Sequence, residues 1–500
     1  MLPILLADKL TAWITPLWLV SVGVALGVLI LVAFYGILRL ISLRGATAFS
    51  DGIKESWLLP AFYLALFLCL FSVVALPVVP FRALIRAVSR IPSVGPANFR
   101  EEIPKTTDNK KIDIPFRLSE IQEFTLESDR PLTVYTFVSR GAGQDGMKKL
   151  SSGANGSFTW KRAGPLEKPF EPADVTQWLV KNTGDQPATL KIHAITNIEF
   201  PQVRVIPAAA ILVLAIVTAY MLLRWLAPKV SAIALATSNE TMRQPLFYLV
   251  LIVGVFLLIS PFGLIYIPYN TFGEDIKMLK DTGLTLIMLG AILLAVWSAS
   301  TSISDEIEGR TALTLLSKPI SRRQFVIGKF LGIVGPVVLV HLILGTFLLA
   351  AVSYKVVYDA RETAQVDPTW QQCFFEMIRT VPGMLLSLYE TLVLAAVSVA
   401  MSTRLPMIAN LLVCVTIYVL GHLAPMIVNS SYGDFAIVEF VGQFIATILP
   451  NLDHFNIQAA IAAGADVPTE YLLWALVYCV LFCFSAMLLA LAMFEDRDLA

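Results

Sequence analysis

The sequence lacks the patterns on which most enzymes depend. It contains only 4 histidines among 500 residues, and none of them begins an H-E-x-x-H zinc motif. It has no G-x-x-x-x-G-K-[ST] loop, so the chain is not expected to bind ATP by cradling its phosphates. No nucleophile–base or metal-ligand spacing is present, which disfavours a membrane-embedded enzyme. We therefore expect no catalytic residues, no metal and no cofactor in this chain.

Cysteine and charge are also scarce. Four of the 5 cysteines lie in apolar runs and the fifth, Cys373, lies just before one, so no disulfide framework is predicted. Only 15% of the residues are charged, and 37 basic residues balance 37 acidic ones. The net charge therefore gives no indication of nucleic acid as a partner, and we expect none.

Long apolar runs dominate what is present. A mean hydropathy of +0.73 and a hydrophobic content of 57% exclude an ordinary soluble protein. A run of about 20 apolar residues can cross a hydrocarbon core of about 30 Å. The runs predict an all-α polytopic membrane protein with about nine transmembrane helices. The predicted spans are residues 17–41, 57–79, 205–226, 246–269, 284–303, 330–352, 384–401, 407–428 and 471–494. Residues 435–449 are shorter and are interrupted by Glu439 and Gly442, so they are interpreted as re-entrant or interfacial.

Residues 81–203 have a different composition and predict an inserted, mostly β domain. Its first part, residues 81–90, carries Arg82, Arg86 and Arg90 among apolar residues, which is typical of a basic amphipathic helix on a membrane. Beyond it, alternating apolar residues predict strands at 132–138, 175–180 and 188–195. Several strands within roughly 110 residues indicate a small sandwich-like fold. The predicted division is 1–80 (two N-terminal transmembrane helices), 81–203 (the β-rich domain), 204–229 (a third transmembrane helix and connector) and 230–500 (a six-helix domain).

One charged segment, residues 304–329, interrupts the apolar second half of the chain. Lys318-Pro319 ends a helical stripe within it, because proline disfavours the helical region for the preceding residue. Ser321 and Gln324 have the spacing of a capping box, which predicts that a new helix starts there. The charged segment is thus predicted to be a short amphipathic helix, a bend and a capped restart. The apolar stripe of that helix is Gly309, Ala312, Leu313, Leu316 and Ile320.

The charged segment also orients the chain in the membrane. It contains five basic residues, whereas the loop at residues 429–470 contains none. Basic residues in short loops favour the cytoplasm, so we expect the charged segment and the C-terminus to be cytoplasmic. With nine spans, the N-terminus and residues 81–203 are then extracytoplasmic. The basic residues at 81–90 oppose this orientation, but long translocated domains largely escape the charge rule.

Several motifs of the second half are typical of one protein family. They are Glu308-Gly309-Arg310-Thr311, Leu315-Leu316-Ser317-Lys318-Pro319-Ile320-Ser321-Arg322, Ile327-Gly328-Lys329, an entry helix from Ile233 to Met242 and the tail after Phe494. Through these motifs, the part of the chain from about residue 230 to 500 has a resemblance to the permease (transmembrane) subunit of ABC-2 type transporters. It implies a bacterial-type inner-membrane protein that works as a homodimer or paired permease, surrounded by lipid, with a separate cytoplasmic ATPase. It implies that this ATPase docks on the charged segment, a coupling helix, at Glu308, Gly309, Arg310, Thr311, Lys318, Pro319, Arg322 and Arg323.

Two ionisable residues within predicted spans are further candidates. His341 and Glu390 would be costly at membrane depth, so they suggest a substrate path or a proton relay. The alternatives are a neutral histidine bonded to a helix carbonyl and a glutamate near an interface. His422 lies near the end of a span, and we expect it at the membrane interface. Two functions stay open, a subunit of an ATP-driven exporter and an ATPase-coupled anchor for signalling or extracytoplasmic assembly through which nothing crosses. The sequence favours no particular substrate.

Overall fold

The computed structural model describes residues 2–105, 107–113, 120–130, 132–136, 148–152, 157–161, 177–182, 185–259, 275–304, 306, 320–429 and 449–495. The chain forms two compact units. The membrane unit comprises Met1–Val79 and Val205–Ala500, and the β unit comprises Pro80–Arg204. The helices are α1 (Leu2–Ile41), α2 (Leu43–Lys54), α3 (Leu58–Val74), α4 (Phe81–Ser89), α5 (Val205–Leu226), α6 (Pro228–Arg243), α7 (Pro245–Ile259), α8 (Asp275–Ala299), α9 (Arg322–Glu362), α10 (Trp370–Ser402), α11 (Met407–Asn429), α12 (Gln458–Ala462) and α13 (Thr469–Glu495).

The apolar helices establish a multi-pass membrane protein. Six described helices are long and apolar enough to cross a membrane, or up to eight if two bent pairs each form one span. The bent pairs are α2 with α3, at 87°, and α6 with α7, at 60°. The apolar part of α11, Met407–Leu423, is shorter. The prediction of nine spans therefore stays a prediction. The predicted re-entrant stretch at 435–449 lies outside the described residues, apart from its last residue.

The N-terminal helices belong to the membrane unit because α1 packs closely against α5. A Cβ atom added to Gly23 would lie 2.6 Å from the carbonyl oxygen of Ile206, and one added to Gly27 would lie 3.0 Å from Cβ of Val213. Small residues four apart allow membrane helices to approach this closely. The side chain of Trp18 is buried, and its Nε1 donates a hydrogen bond of 2.8 Å to the backbone oxygen of Ser72.

The long helix α9 begins where the capping box predicts. The Ser321 hydroxyl accepts a hydrogen bond of 3.2 Å from the backbone nitrogen of Gln324. The Ser321 backbone nitrogen donates one of 3.2 Å to the Gln324 side chain. These reciprocal bonds satisfy two donors that a helix start leaves free, and they confirm the predicted restart. Helices α8, α9 and α10 then contribute most of the buried apolar side chains of the membrane unit.

The described residues of the β unit form eight strands in two four-stranded antiparallel sheets. The order is β1-β8-β3-β6 in one sheet and β2-β7-β4-β5 in the other. Strands β4, β7 and β8 overlap the three that the alternating pattern predicts. The strands are β1 (Pro96–Ile103), β2 (Thr107–Asp113), β3 (Ile121–Ser128), β4 (Leu132–Thr136), β5 (Lys148–Ser152), β6 (Ser157–Lys161), β7 (Gln177–Asn182) and β8 (Ala188–Thr196).

One apolar cluster contains side chains from both sheets. Phe124 and Ile192 come from the first sheet, and Ile112, Leu132 and Val180 come from the second. Alternate residues of β8 are buried, as expected for a strand with one face on a core. The two sheets of this unit therefore share their hydrophobic core.

The amphipathic helix predicted at the start of the β unit is present as α4. Leu84 and Ala87 are buried on one face of it. At its end, Arg90 forms a bidentate contact with Glu120, with Nη2 at 2.7 Å and Nε at 3.0 Å from the two carboxylate oxygens. The hydrogen bond to the Glu120 carboxylate raises the pKa of the Arg90 guanidinium above its ordinary value. The pair fixes the helix to the following chain, while its predicted place on a membrane stays a prediction.

Candidate functional site

The structure describes the two ends of the charged segment. Glu308, Gly309, Arg310, Thr311, Lys318 and Pro319 lie outside the described residues. At the first end, α8 continues as a π-helix over Ser300–Ser304. Such turns are rare and are often found at functional sites. The Gln244 side chain, which follows α6, donates a hydrogen bond of 2.9 Å to the Thr301 hydroxyl and so joins the entry helix to this end.

An ion pair joins the two ends of the charged segment. Lys329 is only 3% exposed, and its Nζ lies 2.7 Å from Oε1 of Glu306. The ammonium group also lies 5.6 Å from the centre of the Phe325 ring, within cation–π range. The ion pair therefore holds the described residues at the start and at the end of the charged segment beside each other.

Arg322 binds the end of the last helix. Its Nη1 donates hydrogen bonds to the carbonyl oxygens of Phe494, at 2.9 Å, and of Glu495, at 2.7 Å. From the loop between α10 and α11, Arg404 Nε donates one of 2.7 Å to the carbonyl oxygen of Met493. Helix C-termini leave carbonyl groups without intrahelical partners and favour cations. We call these two arginines and the carbonyls of residues 493–495 the C-terminal clamp.

The clamp separates the roles of two residues that sequence reasoning treated alike. The side chain of Arg322 is committed to α13, and Phe325 stacks on Phe494 beside it with ring centres 5.7 Å apart. The next residue, Arg323, is exposed. Arg323 is therefore the described residue of the predicted docking set that a partner can reach without breaking an internal contact.

A buried polar cluster joins the π-helix to α10 and α11. The side-chain nitrogen of Asn410 lies 2.8 Å from the hydroxyl oxygen of Ser300 and 2.9 Å from those of Ser398 and Ser402. All four side chains are buried. An amide nitrogen carries two hydrogens, so it donates to two of these hydroxyls at a time. Sequence reasoning missed this cluster, although an asparagine within an apolar run is a known mark of helix contact in membranes.

The environment of His341 is that of a histidine bonded to a carbonyl oxygen of its own helix. It is buried on α9, and its Nδ1 lies 3.0 Å from the carbonyl oxygen of Val337, one turn earlier in the same helix. Its Nε2 is buried and has no hydrogen-bond partner among the residues that the structure describes. The geometry matches a histidine bonded to a helix carbonyl, and its place on a substrate path stays a proposal.

Glu390 lies deep in the membrane unit, next to a histidine that the sequence placed at the membrane interface. The Glu390 side chain, on α10, is 1% exposed, and Nε2 of His422, on α11, lies 3.4 Å from its Oε1. Neither carboxylate oxygen has a hydrogen-bond partner in the described part of the chain. The partner of Glu390 is thus His422, and no hydrogen bond or ion pair among the described residues joins Glu390 to His341.

At the opposite end of the membrane unit, buried lysines meet carboxylates. Lys355, on α9, is 1% exposed, and its Nζ lies 2.9 Å from Oδ2 of Asp275 at the start of α8. Lys280 is fully buried and pairs with Glu376. Asp359 and Glu362 place carboxylates within 4.8 Å of that of Asp275, but the ammonium group of Lys355 already neutralises Asp275. These contacts have the character of structural ion pairs between helices.

Comparison with protein families identifies the membrane unit. Residues 194–499 match the family model described as ABC-2 family transporter protein. The match begins before α5, so it includes a helix that the resemblance from about residue 230 leaves out, and it contains Arg322, Arg323, His341, Glu390 and His422. Comparison with curated proteins found no match. Permeases of this family normally work with a cytoplasmic ATPase subunit. Since the match covers more than half of the sequence, this multi-pass membrane protein belongs to the ABC-2 family of transporter proteins.

Proposed function

We propose that the chain is the permease subunit of an ATP-driven exporter and that a separate cytoplasmic ATPase docks on the charged segment. The observation that carries this proposal is the tie between the two ends of that segment and the membrane helices. Lys329 and Glu306 close its base, and the C-terminal clamp attaches the start of α9 to the end of α13. A displacement of the segment therefore acts on at least two transmembrane helices at once. The ATPase shifts this permease between two arrangements only if it binds them with different affinity.

Contacts within the membrane unit support a cytoplasmic charged segment. The clamp, the bond from Gln244 to Thr301 and a bond of 3.0 Å from Asn239 to the backbone oxygen of Glu55 gather several helix ends at one end of the unit. The described part of the loop at 429–470 lies at the other end, where Asp466 pairs with Arg379, and the loop has no basic residue. Basic residues at the clamp end are Lys54, Arg224, Lys229, Arg243, Arg322, Arg323, Lys329 and Arg404.

The N-terminal contacts agree with the same orientation. The Thr11 hydroxyl donates a hydrogen bond of 2.9 Å to the backbone oxygen of Val78, where the chain leaves the membrane unit. The Ser353 hydroxyl donates one of 2.8 Å to the backbone oxygen of Trp13. Both contacts lie near the end of α9 that is opposite the clamp, because α9 extends for about 50 Å between Arg322 and Lys355. We therefore place the N-terminus and residues 81–203, with their two sheets packed as a sandwich, outside a bacterial-type inner membrane. We place the C-terminus in the cytoplasm.

Charge reversal at Arg323 tests the docking site. Arg323→Glu is expected to weaken co-purification of the ATPase about tenfold in low salt, and less in high salt, because exposed charges steer and fix such contacts. The full-length chain is expressed with its ATPase, and the bound fraction is measured on the purified complex. The matched control is Arg361→Glu, an exposed arginine near the opposite end of the same helix. If the Arg323→Glu variant co-purifies with as much ATPase as the wild type does, the proposed docking site is wrong. Arg322 is unsuitable for this test because its loss also opens the clamp.

The packing of α1 favours the alternative function, a membrane anchor that transmits ATPase motion without transport. Helix α1 contacts both α9 and α10, and it also holds Val78, from which the β unit follows. Motion of the central helices can therefore reach the chain ends that carry the β unit. The two functions differ in the effect of His341→Leu combined with Glu390→Gln in a chain with an intact charged segment. Loss of cargo release with the ATPase complex preserved supports the exporter, and unchanged release supports the anchor.

A further inference from the structure

Glu390, which is buried, and His422, whose side chain is 19% exposed, form an acid–imidazole pair, and its geometry indicates how many hydrogens it holds. Nδ1 of His422 lies 3.0 Å from the carbonyl oxygen of Tyr418. A carbonyl oxygen only accepts hydrogen bonds, so Nδ1 must carry a hydrogen. In a neutral imidazole the other nitrogen, Nε2, is then a bare acceptor. This nitrogen faces Oε1 of Glu390 at 3.4 Å.

This arrangement is favourable only when it holds an additional proton. Without one, an unprotonated Nε2 lies next to a carboxylate oxygen, and the negative charge of Glu390 stays buried without a hydrogen bond from the described residues. With one, the pair is either a neutral acid donating to a neutral imidazole or a carboxylate facing an imidazolium. Both forms contain the same number of protons. The charge-compensated state of the site is thus its proton-bound state.

We propose that Glu390 and His422 form a proton-binding site inside the membrane unit and that the bound proton holds α11 against α10. This proposal does not depend on which cargo moves or on where the ATPase docks. Loss of the proton leaves two acceptors facing each other and weakens the contact between the two helices. Proton binding therefore regulates how firmly α11 is attached.

The position of α11 explains why one contact has this influence. Its outer side chains, such as Ile408, Leu412 and Val415, are more than half exposed, so the described residues pack on one side of the helix. On that side, hydrogen bonds fix it at Asn410, and His422 lies 3.4 Å from Glu390. These residues are 12 positions apart, or about 18 Å along the helix. Loss of the contact between His422 and Glu390 removes the polar contact at this end of the helix, while the close packing of Gly421 against Pro450 and Leu452 remains.

Other titratable groups lie on the elements that pack around α10 and α11, and the test must separate them from the pair. The ring of Tyr418 lies 4.7 Å from that of His422. Cys479 and Cys483 of α13 contact backbone oxygens of Tyr389 and Leu392, on either side of Glu390. The remaining groups are His341 on α9, Lys280 of α8 paired with Glu376, and Asp453 and His454 of the short 3-10 helix Leu452–Phe455 that packs on α10 and α11.

Glu390→Gln separates the pair from these groups. The glutamine amide donates to Nε2 of His422 at every pH, so it reproduces the proton-bound contact without a proton. In the unfolded chain Glu390 and His422 are separated in water and no contact favours a shared proton, whereas the folded pair holds one. Wherever the folded state binds more protons than the unfolded state, wild-type stability falls as pH rises.

The first measurement is the Tm of the purified full-length protein between pH 6 and 9. We expect the Tm of the wild type to fall by about 2 °C per pH unit more than that of Glu390→Gln. The control is His454→Gln, which removes an exposed histidine outside the pair and should keep the wild-type profile. Parallel pH profiles of the wild type and Glu390→Gln overturn the proposal.

The second measurement keeps the test decisive if Glu390→Gln fails to fold. With only 4 histidines in the chain, nitrogen NMR of histidine-labelled protein resolves His422, which is assigned by its loss in His422→Gln. We expect hydrogen on Nδ1 of His422 at every pH and a proton at Nε2 that is lost as pH rises. A His422 that carries its hydrogen on Nε2 alone, or an Nε2 that does not titrate, overturns the proposal. Since neither measurement involves the ATPase, neither outcome bears on the docking site.

Discussion

Lys355→Met is expected to destabilise the membrane unit by about 3–5 kcal/mol. Lys355 is 1% exposed, and its ammonium group lies 2.9 Å from Asp275 and 4.4 Å from the centre of the Tyr358 ring. The substitution removes the cation and keeps much of the apolar volume. Asp275, whose side chain is 6% exposed, is then left as a buried charge without its partner. The cost of that unpaired charge, more than the loss of attraction, makes the effect large.

Unfolding of the purified protein in detergent measures this effect, and two variants control it. Lys355→Met combined with Asp275→Asn should recover most of the lost stability, because the double variant buries no unpaired charge. Lys54→Met, at an exposed lysine at the end of α2, should change stability by no more than about 0.5 kcal/mol. A single variant as stable as the wild type shows that the Lys355–Asp275 ion pair does not join α8 to α9.

Gly332→Ala is expected to destabilise the packing of the entry helix α6 on α9 by about 1–3 kcal/mol. A Cβ atom at Gly332 would lie 2.6 Å from Cβ of Thr237 and 2.8 Å from the carbonyl oxygen of Ala234. Both atoms belong to or adjoin the backbone of α6, so neither can move unless the helix moves. Gly328, one turn earlier, is packed in the same way against Ile233, with 2.7 Å to Cβ. The loss of stability should be larger for Gly332→Leu than for Gly332→Ala.

The matched control for this prediction is Gly36→Ala. Gly36 also lies within a membrane helix, α1, but a Cβ atom added there meets nothing within 4 Å. Alanine is the better helix former by up to about 1 kcal/mol, so this variant should be neutral or slightly stabilising. Thermal unfolding of both variants checks the comparison. Equal effects at residues 36 and 332 mean that helix propensity, and not the contact with α6, governs the result.

Local patterns in the sequence predicted the elements that depend on neighbouring residues. The bonds between Ser321 and Gln324 span three residues, so their spacing was enough to predict the start of α9. Alternation along 188–195 predicted strand β8, and the spacing of apolar residues at 81–90 predicted helix α4. The family resemblance likewise rests on consecutive residues around the charged segment.

Contacts between distant residues could not be predicted in this way. Arg322 and Arg323 are both basic residues at a helix start. They differ because Arg322 donates a hydrogen bond to the carbonyl oxygen of Phe494, at the end of a distant helix. His422 lies near the end of an apolar run, which suggested an interface position, yet its helix places it against Glu390, 32 positions earlier. The serines that surround Asn410 come from two other helices. No spacing rule connects residues on different helices.

The sequence by itself determined that this is a multi-pass helical membrane protein of the ABC-2 family, with an inserted β unit and a charged segment between its central helices. It did so because hydrophobic length, period and capping are properties of continuous stretches of chain. The tertiary structure alone decided which charged residues form contacts within the chain and which are accessible to a partner. It assigned Arg322 to the clamp, left Arg323 exposed and paired Glu390 with His422. The physical reason is that burial and charge pairing depend on which helices meet, and many side chains distributed over several helices determine that packing.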